Sequence, residues 1–305
     1  MAALAATRLL RMVVTLWGVV TLVFLLGRLS GDPVALMVPE GTPPADIEIL
    51  RHQLGLDSPL PVQYADFLGG IAHGDFGRSI LYRRSALDVA LERLPATAEL
   101  AVWAMALAVV VGLTVGVVTA ARPNSWLSRL AVFLAVSARA TPGFVFGIFL
   151  ILFLAVALRL LPTGGRGAPL QLIMPVATLA FVATPTLIRI TRAQMLETLR
   201  QEYVRTARAK GLGTSAILWR HAFKNASLPI VTIIGIQFGA MLGGAAIVET
   251  LFAWPGMGLL AISSINQRDY PVVQCVLLLA GTWFVLVNTA VDMAYVMLDP
   301  RSRRA

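Results

Sequence analysis

The chain alternates long apolar runs with polar stretches. The first run, Leu9 to Leu29, is almost uninterrupted. A stretch of mixed polarity follows from Ser30 to Leu94. Further runs cover Pro95 to Ala121, Leu130 to Leu161, Leu170 to Ile190, Pro229 to Glu249 and Val272 to Asp292. About 20 apolar residues carry a helix across the hydrocarbon core. The pattern therefore predicts an all-α integral membrane protein with six transmembrane helices. Pro95 suits a helix start, where its missing amide is not needed, and Arg122, Pro123 and Asn124 end that helix. The region from Leu130 to Leu161 is too long for one perpendicular span, and Arg139 and Pro142 divide it. Its membrane part is expected at Pro142 to Leu161, with the earlier portion at or below the interface. Residues 1–28 carry basic residues before a long apolar run, whereas a signal peptide has a shorter one and a small-residue cleavage site. The segment reads as a retained helix.

Composition agrees with a lipid environment. Of 305 residues, 57% are hydrophobic and only 13% charged, with a mean hydropathy of +0.78. Soluble domains carry about 25% charged residues. The net charge of +9 would suggest nucleic acid in a soluble protein. Here the basic residues flank apolar runs, so membrane lipid is the expected partner and nucleic acid is not. The single cysteine, Cys275, lies in an apolar run and excludes an internal disulfide framework.

Arginine and lysine set the orientation. The loop 189–224 has 8 basic and 2 acidic residues, whereas 31–94 has 5 basic and 9 acidic. Both termini are therefore expected in the cytoplasm and 31–94 outside. The expected organisation is an N-terminal transmembrane helix at 1–30, an extracytoplasmic region at 31–94, a five-helix membrane domain at 95–298 and a cytoplasmic tail at 299–305. The outer region holds Leu54-Gly55-Leu56-Asp57, Tyr64, Phe67, Phe76 and Tyr82 between turn residues. It reads as a small helical cap, serving as a cover for the outer mouth, a docking surface for a solute-delivering partner, or both.

The segment from Arg189 to Pro229 is the most informative. Residues Glu202 to Lys210 are good helix formers, and Gly211 and Gly213 then stop the helix, since glycine accepts left-handed geometry at a helix end. A second helix is expected from Thr214 to Asn225, capped by Thr214 or Ser215, with Pro229 opening the next span. Two short helices and a glycine elbow thus project between spans. They can fit a groove on a soluble partner and move with it as a lever, or lie on anionic lipid through their arginines.

These residues resemble the EAA loop of ATP-binding-cassette (ABC) importer permeases. The match is closest to the dipeptide/oligopeptide subfamily, which also contains nickel permeases, in Glu202 to Leu212, Arg220-His221-Ala222, Asn225-Ala226 and Leu228-Pro229. The gap from Gly211 to Pro229 is longer than in the general family and favours that subfamily. Other stretches fit in order. They include Gly31-Asp32-Pro33, Gly74 to Ser79, Arg93 to Thr97, Phe252 to Gly258, Arg268 to Pro271 and Leu298 to Arg301. Ser30 stands where the family often has proline. The resemblance implies a type I importer transmembrane domain with a coupling-helix loop at 200–229, in a bacterial or archaeal cytoplasmic membrane. It implies a second homologous permease, two ATP-binding subunits and an extracytoplasmic solute-binding protein as partners. ATP and magnesium are then used by the ATPases, with no cofactor bound by this chain. Glu202, Tyr203, Ala207, Gly211 and Leu212 are expected at the ATPase contact, where the small Ala207 permits close approach. The implied cargo is a dipeptide or oligopeptide, with glutathione, a nickel complex or another small solute as alternatives.

Gly235, Gly239 and Gly243 recur at four-residue spacing in the fifth span, with Gln237 beside them. Such stripes let helices approach closely; the face either packs on a neighbour or lines the solute path. Gly112 with Gly116, and Gly143 with Gly147, repeat the pattern. No ionisable residue falls at mid-span; Glu99, Glu249, Asp292 and Arg139 are expected near helix ends. That argues against an ion-coupled carrier, which marks its path with such residues. The chain has no phosphate-binding glycine loop, and its histidines, His52, His73 and His221, are scattered. It is not expected to be an enzyme or to hold a metal.

Overall fold

The computed structural model describes residues 2–29, 41–53 and 55–298. Asp292 lies in a described helix, but its side chain is outside what is described. Among the described residues, all regular structure is helical except one isolated antiparallel bridge between Arg78 and Ser85. The first helix is α1 (Ala2–Leu29). The outer region supplies α2 (Pro44–Gln53) and α3 (Leu60–Ala72). Next come α4 (Ala86–Ala121), α5 (Trp126–Ala140) and α6 (Gly143–Leu150), the last continued by a π-helical turn, Ile151–Ala157. Then follow α7 (Pro169–Thr198), α8 (Glu202–Ala209) and the single turn α9 (Thr214–Ala216). A second π turn, Ile217–Ala222, leads into α10 (Phe223–Leu251). The chain closes with α11 (Met257–Asn266) and α12 (Tyr270–Leu298).

Six apolar segments correspond to the six expected runs. Ala86–Ala121, Pro169–Thr198 and Tyr270–Ala290 can each cross a membrane alone. Trp126–Ala140 with Gly143–Ala157 forms a pair bent by 104°, and Thr214–Met241 with Gly243–Leu251 one bent by 52°. Helix α1 carries the remaining apolar segment, Leu10–Leu25. The 104° bend falls at Thr141-Pro142, where Pro142 caps α6 in an extended conformation.

Two expectations about proline are corrected. Pro95 does not start its helix: α4 begins at Ala86 and Pro95 lies inside it. The residues before it are good helix formers, and Ala86, Val89 and Ala90 are buried at helical spacing. That packing outweighs the one hydrogen bond a proline removes. Nor does Pro229 open a new helix, since it lies inside α10. Ala222, Ala226 and Ile230 form a buried stripe across it. The cap expected at Thr214 or Ser215 is instead Gly213.

The chain divides into two compact units. One comprises Met1–Thr97 with Pro255–Val285, the other Ala98–Trp254 with Leu286–Ala305. In the first, Phe24 of α1 packs edge-on against Tyr64 of α3 at 5.1 Å, and the Thr21 and Tyr64 hydroxyls hydrogen-bond at 2.6 Å. Its core joins Ala86, Val89 and Ala90 of α4 to Met257 and Leu260 of α11 and to Val272 and Cys275 of α12. Thr97 Oγ1 accepts a hydrogen bond from the Met257 amide at 2.8 Å, holding the start of α11.

In the second unit α7 is the central helix, and glycines bring its neighbours close. A Cβ on Gly112 would lie 2.6 Å from Leu187 Cβ, and one on Gly116 2.6 Å from Thr191 Cβ. From α6, a Cβ on Gly143 would meet Val182 at 2.6 Å, and one on Gly147 would meet Leu251 at 2.6 Å. The Phe146 and Phe181 rings stack at 4.1 Å. The end of α10 is sealed by its own turn, where the Trp254 amide donates to the Glu249 carbonyl at 2.8 Å. Phe252 and Trp254 are buried there, and Glu249 is fully buried rather than solvated at a helix end as expected. The loop before α7 packs on this turn: Gly165 N donates to Phe252 O at 2.8 Å, and Arg166 lies over the Trp254 ring while pairing with Glu99.

Candidate functional site

Helix α8 is short and two-faced. Val204 and Ala207 are buried against Ile217, with Leu199 packed on them. The other face exposes Glu202, Tyr203, Arg205, Arg208 and Lys210. The helix ends as its sequence requires. Gly211 N donates to Arg208 O at 2.9 Å, and Leu212 N donates to Ala207 O at 3.2 Å. These are the paired bonds of a Schellman motif, which needs a left-handed residue between them. Gly211 supplies it with φ +76°. A Cβ there would meet nothing within 4 Å, so the demand for glycine is conformational and not steric. Gly213, at φ −63°, makes no such demand.

The elbow is braced on both sides. Asn225 Nδ2 donates to the Tyr203 hydroxyl at 2.8 Å, tying α8 to α10. Leu199 packs on the small cluster of Val204, Ala207 and Ile217, and also on a larger one. The larger cluster joins Ala222, Ala226 and Ile230 to Met195 of α7 and to Val117 and Ala120 of α4. Packed side chains therefore run without a gap from α8 to two spans. The π turn at Ile217–Ala222 sits where this core meets the elbow, and its sequence gave no sign of it. Such turns occur often at functional sites.

The expected loop residues divide by exposure. Glu202, Tyr203, Gly211 and Leu212 lie on the outer surface, with Tyr203 and Leu212 each 41% exposed. Ala207 is turned inward and 7% exposed, so its small size admits Ile217. Trp219 is 44% exposed in the same segment, an aromatic the sequence reading did not single out.

The expected path residues also divide. Gly235 and Gly239 are buried, whereas Gly243 is exposed with nothing within 4 Å of a built Cβ. Gln237 lines an open cavity of about 330 Å³ with Gly143, Phe144, Val182 and Met241, and it is the one polar side chain there among the described residues. Of the glycines in the expected stripes, Gly112, Gly116, Gly143 and Gly147 make close helix approaches, each with a built Cβ 2.6 Å from a neighbouring side chain.

The geometry that stands out is a glycine elbow braced onto α7 and α4. Two family models account for the chain. Residues 112–304 match the binding-protein-dependent transport system inner membrane component, and residues 1–101 match its N-terminal part. The chain belongs to this family of ABC importer permeases. The glutathione transport system permease protein GsiC of Pectobacterium atrosepticum is 42% identical over 298 residues, covering 97% of each chain. GsiC of Escherichia coli K12 is 39% identical over 297 residues, again 97% of each. Among solved structures, the MetNI methionine ABC transporter in an inward-facing conformation aligns with a TM-score of 0.59 at 19% identity. That alignment covers 69% of this chain and 96% of the other. The protein is a multi-pass permease subunit of an ABC importer with the type I fold, and not an enzyme.

Proposed function

We propose that this chain forms half of an ATP-driven import path for short peptides of glutathione's size, paired with a second homologous permease. Two ATP-binding subunits dock on α8 and the elbow, and an extracytoplasmic binding protein delivers the solute. Both termini then lie in the cytoplasm and α2 and α3 outside. The observation that carries this reading is the packed connection from α8 through Leu199 to Met195 and Val117. A partner that grips the exposed face of α8 displaces two spans with it, because packed interiors transmit strain. The partner-facing surface is Glu202, Tyr203, Leu212 and Trp219; Ala207 keeps α8 on its support. Gln237 and Gly243 face the solute path, and Gly235 and Gly239 serve helix packing. The end-to-end likeness to glutathione permeases supports a small peptide as cargo.

The test is uptake into vesicles reconstituted with the chain, its second permease, the ATPases and the binding protein. Labelled glutathione should accumulate with internal or external ATP on the ATPase side, and unlabelled glutathione should compete. Accumulation driven by an ion gradient without the ATPases would contradict the mechanism. ATP-driven uptake that glutathione and short peptides fail to compete would contradict the cargo.

A further inference from the structure

A second pocket, of about 290 Å³, lies in the first unit. Its walls include Val23 and Gly27 of α1, Ser264 and Ile265 of α11, Arg268, and Gln274 of α12. Arg268 adopts φ +59°, and its guanidinium makes no hydrogen bond or ion pair with the described residues. The neighbouring Asp269 does not neutralise it by contact. That carboxylate is buried and accepts from Ser79 Oγ and from the Ile80 and Leu81 amides. A Cβ on Gly27 would lie 2.3 Å from Gln274 Nε2, so the amide occupies its place only because residue 27 is glycine.

We propose that this pocket binds the headgroup of an anionic phospholipid. Among the described residues, the lining contains one cation and no carboxylate. A zwitterionic peptide, or a choline or ethanolamine headgroup, would bring an ammonium that finds no partner there. A phosphodiester with an uncharged headgroup brings only an anion, which Arg268 lacks among the described residues. The pocket sits at the last turns of α1 and the first turns of α12, the depth of a membrane interface. Tyr270 stands on its rim, and tyrosine and arginine are interfacial residues. Tyr270 and Gln274 belong to the N-terminal turns of α12, whose helix dipole favours an anion. Below the polar rim the wall is apolar: Ile265 is 59% exposed and Leu277 42%, forming a track for an acyl chain.

The test is native mass spectrometry of the assembled importer titrated with phosphatidylglycerol or phosphatidylcholine. The wild type should bind phosphatidylglycerol about five-fold more tightly than Arg268→Gln, the worth of one basic residue at the membrane surface. Arg268→Lys should recover most of the difference, and phosphatidylcholine should bind all three alike. Gly27→Ala, which displaces the Gln274 amide, should lower phosphatidylglycerol retention with subunit stoichiometry unchanged. Equal phosphatidylglycerol binding by wild type and Arg268→Gln, in complexes of the same stoichiometry, would overturn the proposal. So would an equal loss of both lipids, or quantitative crosslinking of Ile265→Cys to another subunit, which would put protein over the pocket. If Arg268→Gln fails to assemble, the Lys and Gly27→Ala variants decide: lipid retention by Gly27→Ala equal to wild type would overturn it.

Discussion

Ser79 donates its hydroxyl to the buried carboxylate of Asp269 at 2.5 Å, across 190 residues of sequence. The same hydroxyl accepts from the Tyr82 amide at 2.9 Å, so one side chain both shapes the 79–82 turn and anchors it to the start of α12. Asp269 also accepts from the Ile80 and Leu81 amides. A buried carboxylate is costly unless such donors surround it.

Ser79→Ala should therefore destabilise the protein by about 1–3 kcal/mol, the cost of leaving a buried polar group short of a partner. Asp269→Ala should cost more, because it strands three donors. The double variant should be less destabilised than the sum of the singles, as for residues in one network. Thermal unfolding of the purified complex measures the cycle. Additive effects would mean that the contact contributes nothing.

The glycine stripes differ in how closely they pack. Gly116→Val should destabilise the membrane domain by about 1–3 kcal/mol or more, as overpacking does, because its Cβ lands 2.6 Å from Thr191 Cβ. Gly243→Ala meets no atom within 4 Å and should leave the melting temperature equal or slightly higher. Unfolding midpoints together with uptake distinguish the two: a path role for Gly243 predicts altered uptake at unchanged stability.

The amino-acid pattern makes some of this legible and hides the rest. Gly211 was readable because a Schellman end has a local signature, good helix formers and then glycine. The break at Pro142 was readable for a similar local reason. Pro95 and Pro229 misled because packing around them, by Val89 and Ala90 and by Ala226 and Ile230, overrides the local cost of proline. The inward turn of Ala207 depends on Ile217 across the elbow, and the Ser79–Asp269 pair on two distant segments. Neither leaves a periodic trace. The stripe glycines Gly112 and Gly116 were visible as a pattern, but only the distances to Leu187 and Thr191 rank them above Gly243.

Topology is open to labelling. Asp66 on α3 and Ser215 in the elbow are both exposed, and the native Cys275 is buried. A membrane-impermeant maleimide applied outside should modify Asp66→Cys and spare Ser215→Cys. The reverse result would invert the proposed orientation. Ser79 is unsuited to this use, since it is buried against Asp269.

The most direct test of the lever compares two glycines two residues apart, alike in space but different in backbone conformation. Neither Gly211 nor Gly213 has any atom within 4 Å of a built Cβ, yet only Gly211 has positive φ, at +76°. Gly211→Val should cost about 1–3 kcal/mol locally, the usual strain of a non-glycine held in that region, and Gly213→Ala should cost almost nothing. The measurement is co-purification of the ATPases together with ATP-driven uptake in reconstituted vesicles. The account predicts that Gly211→Val inserts and pairs with the second permease normally but loses ATPase docking and uptake, while Gly213→Ala keeps both. Full docking and uptake by Gly211→Val would contradict it and leave α8 a surface helix with no part in coupling.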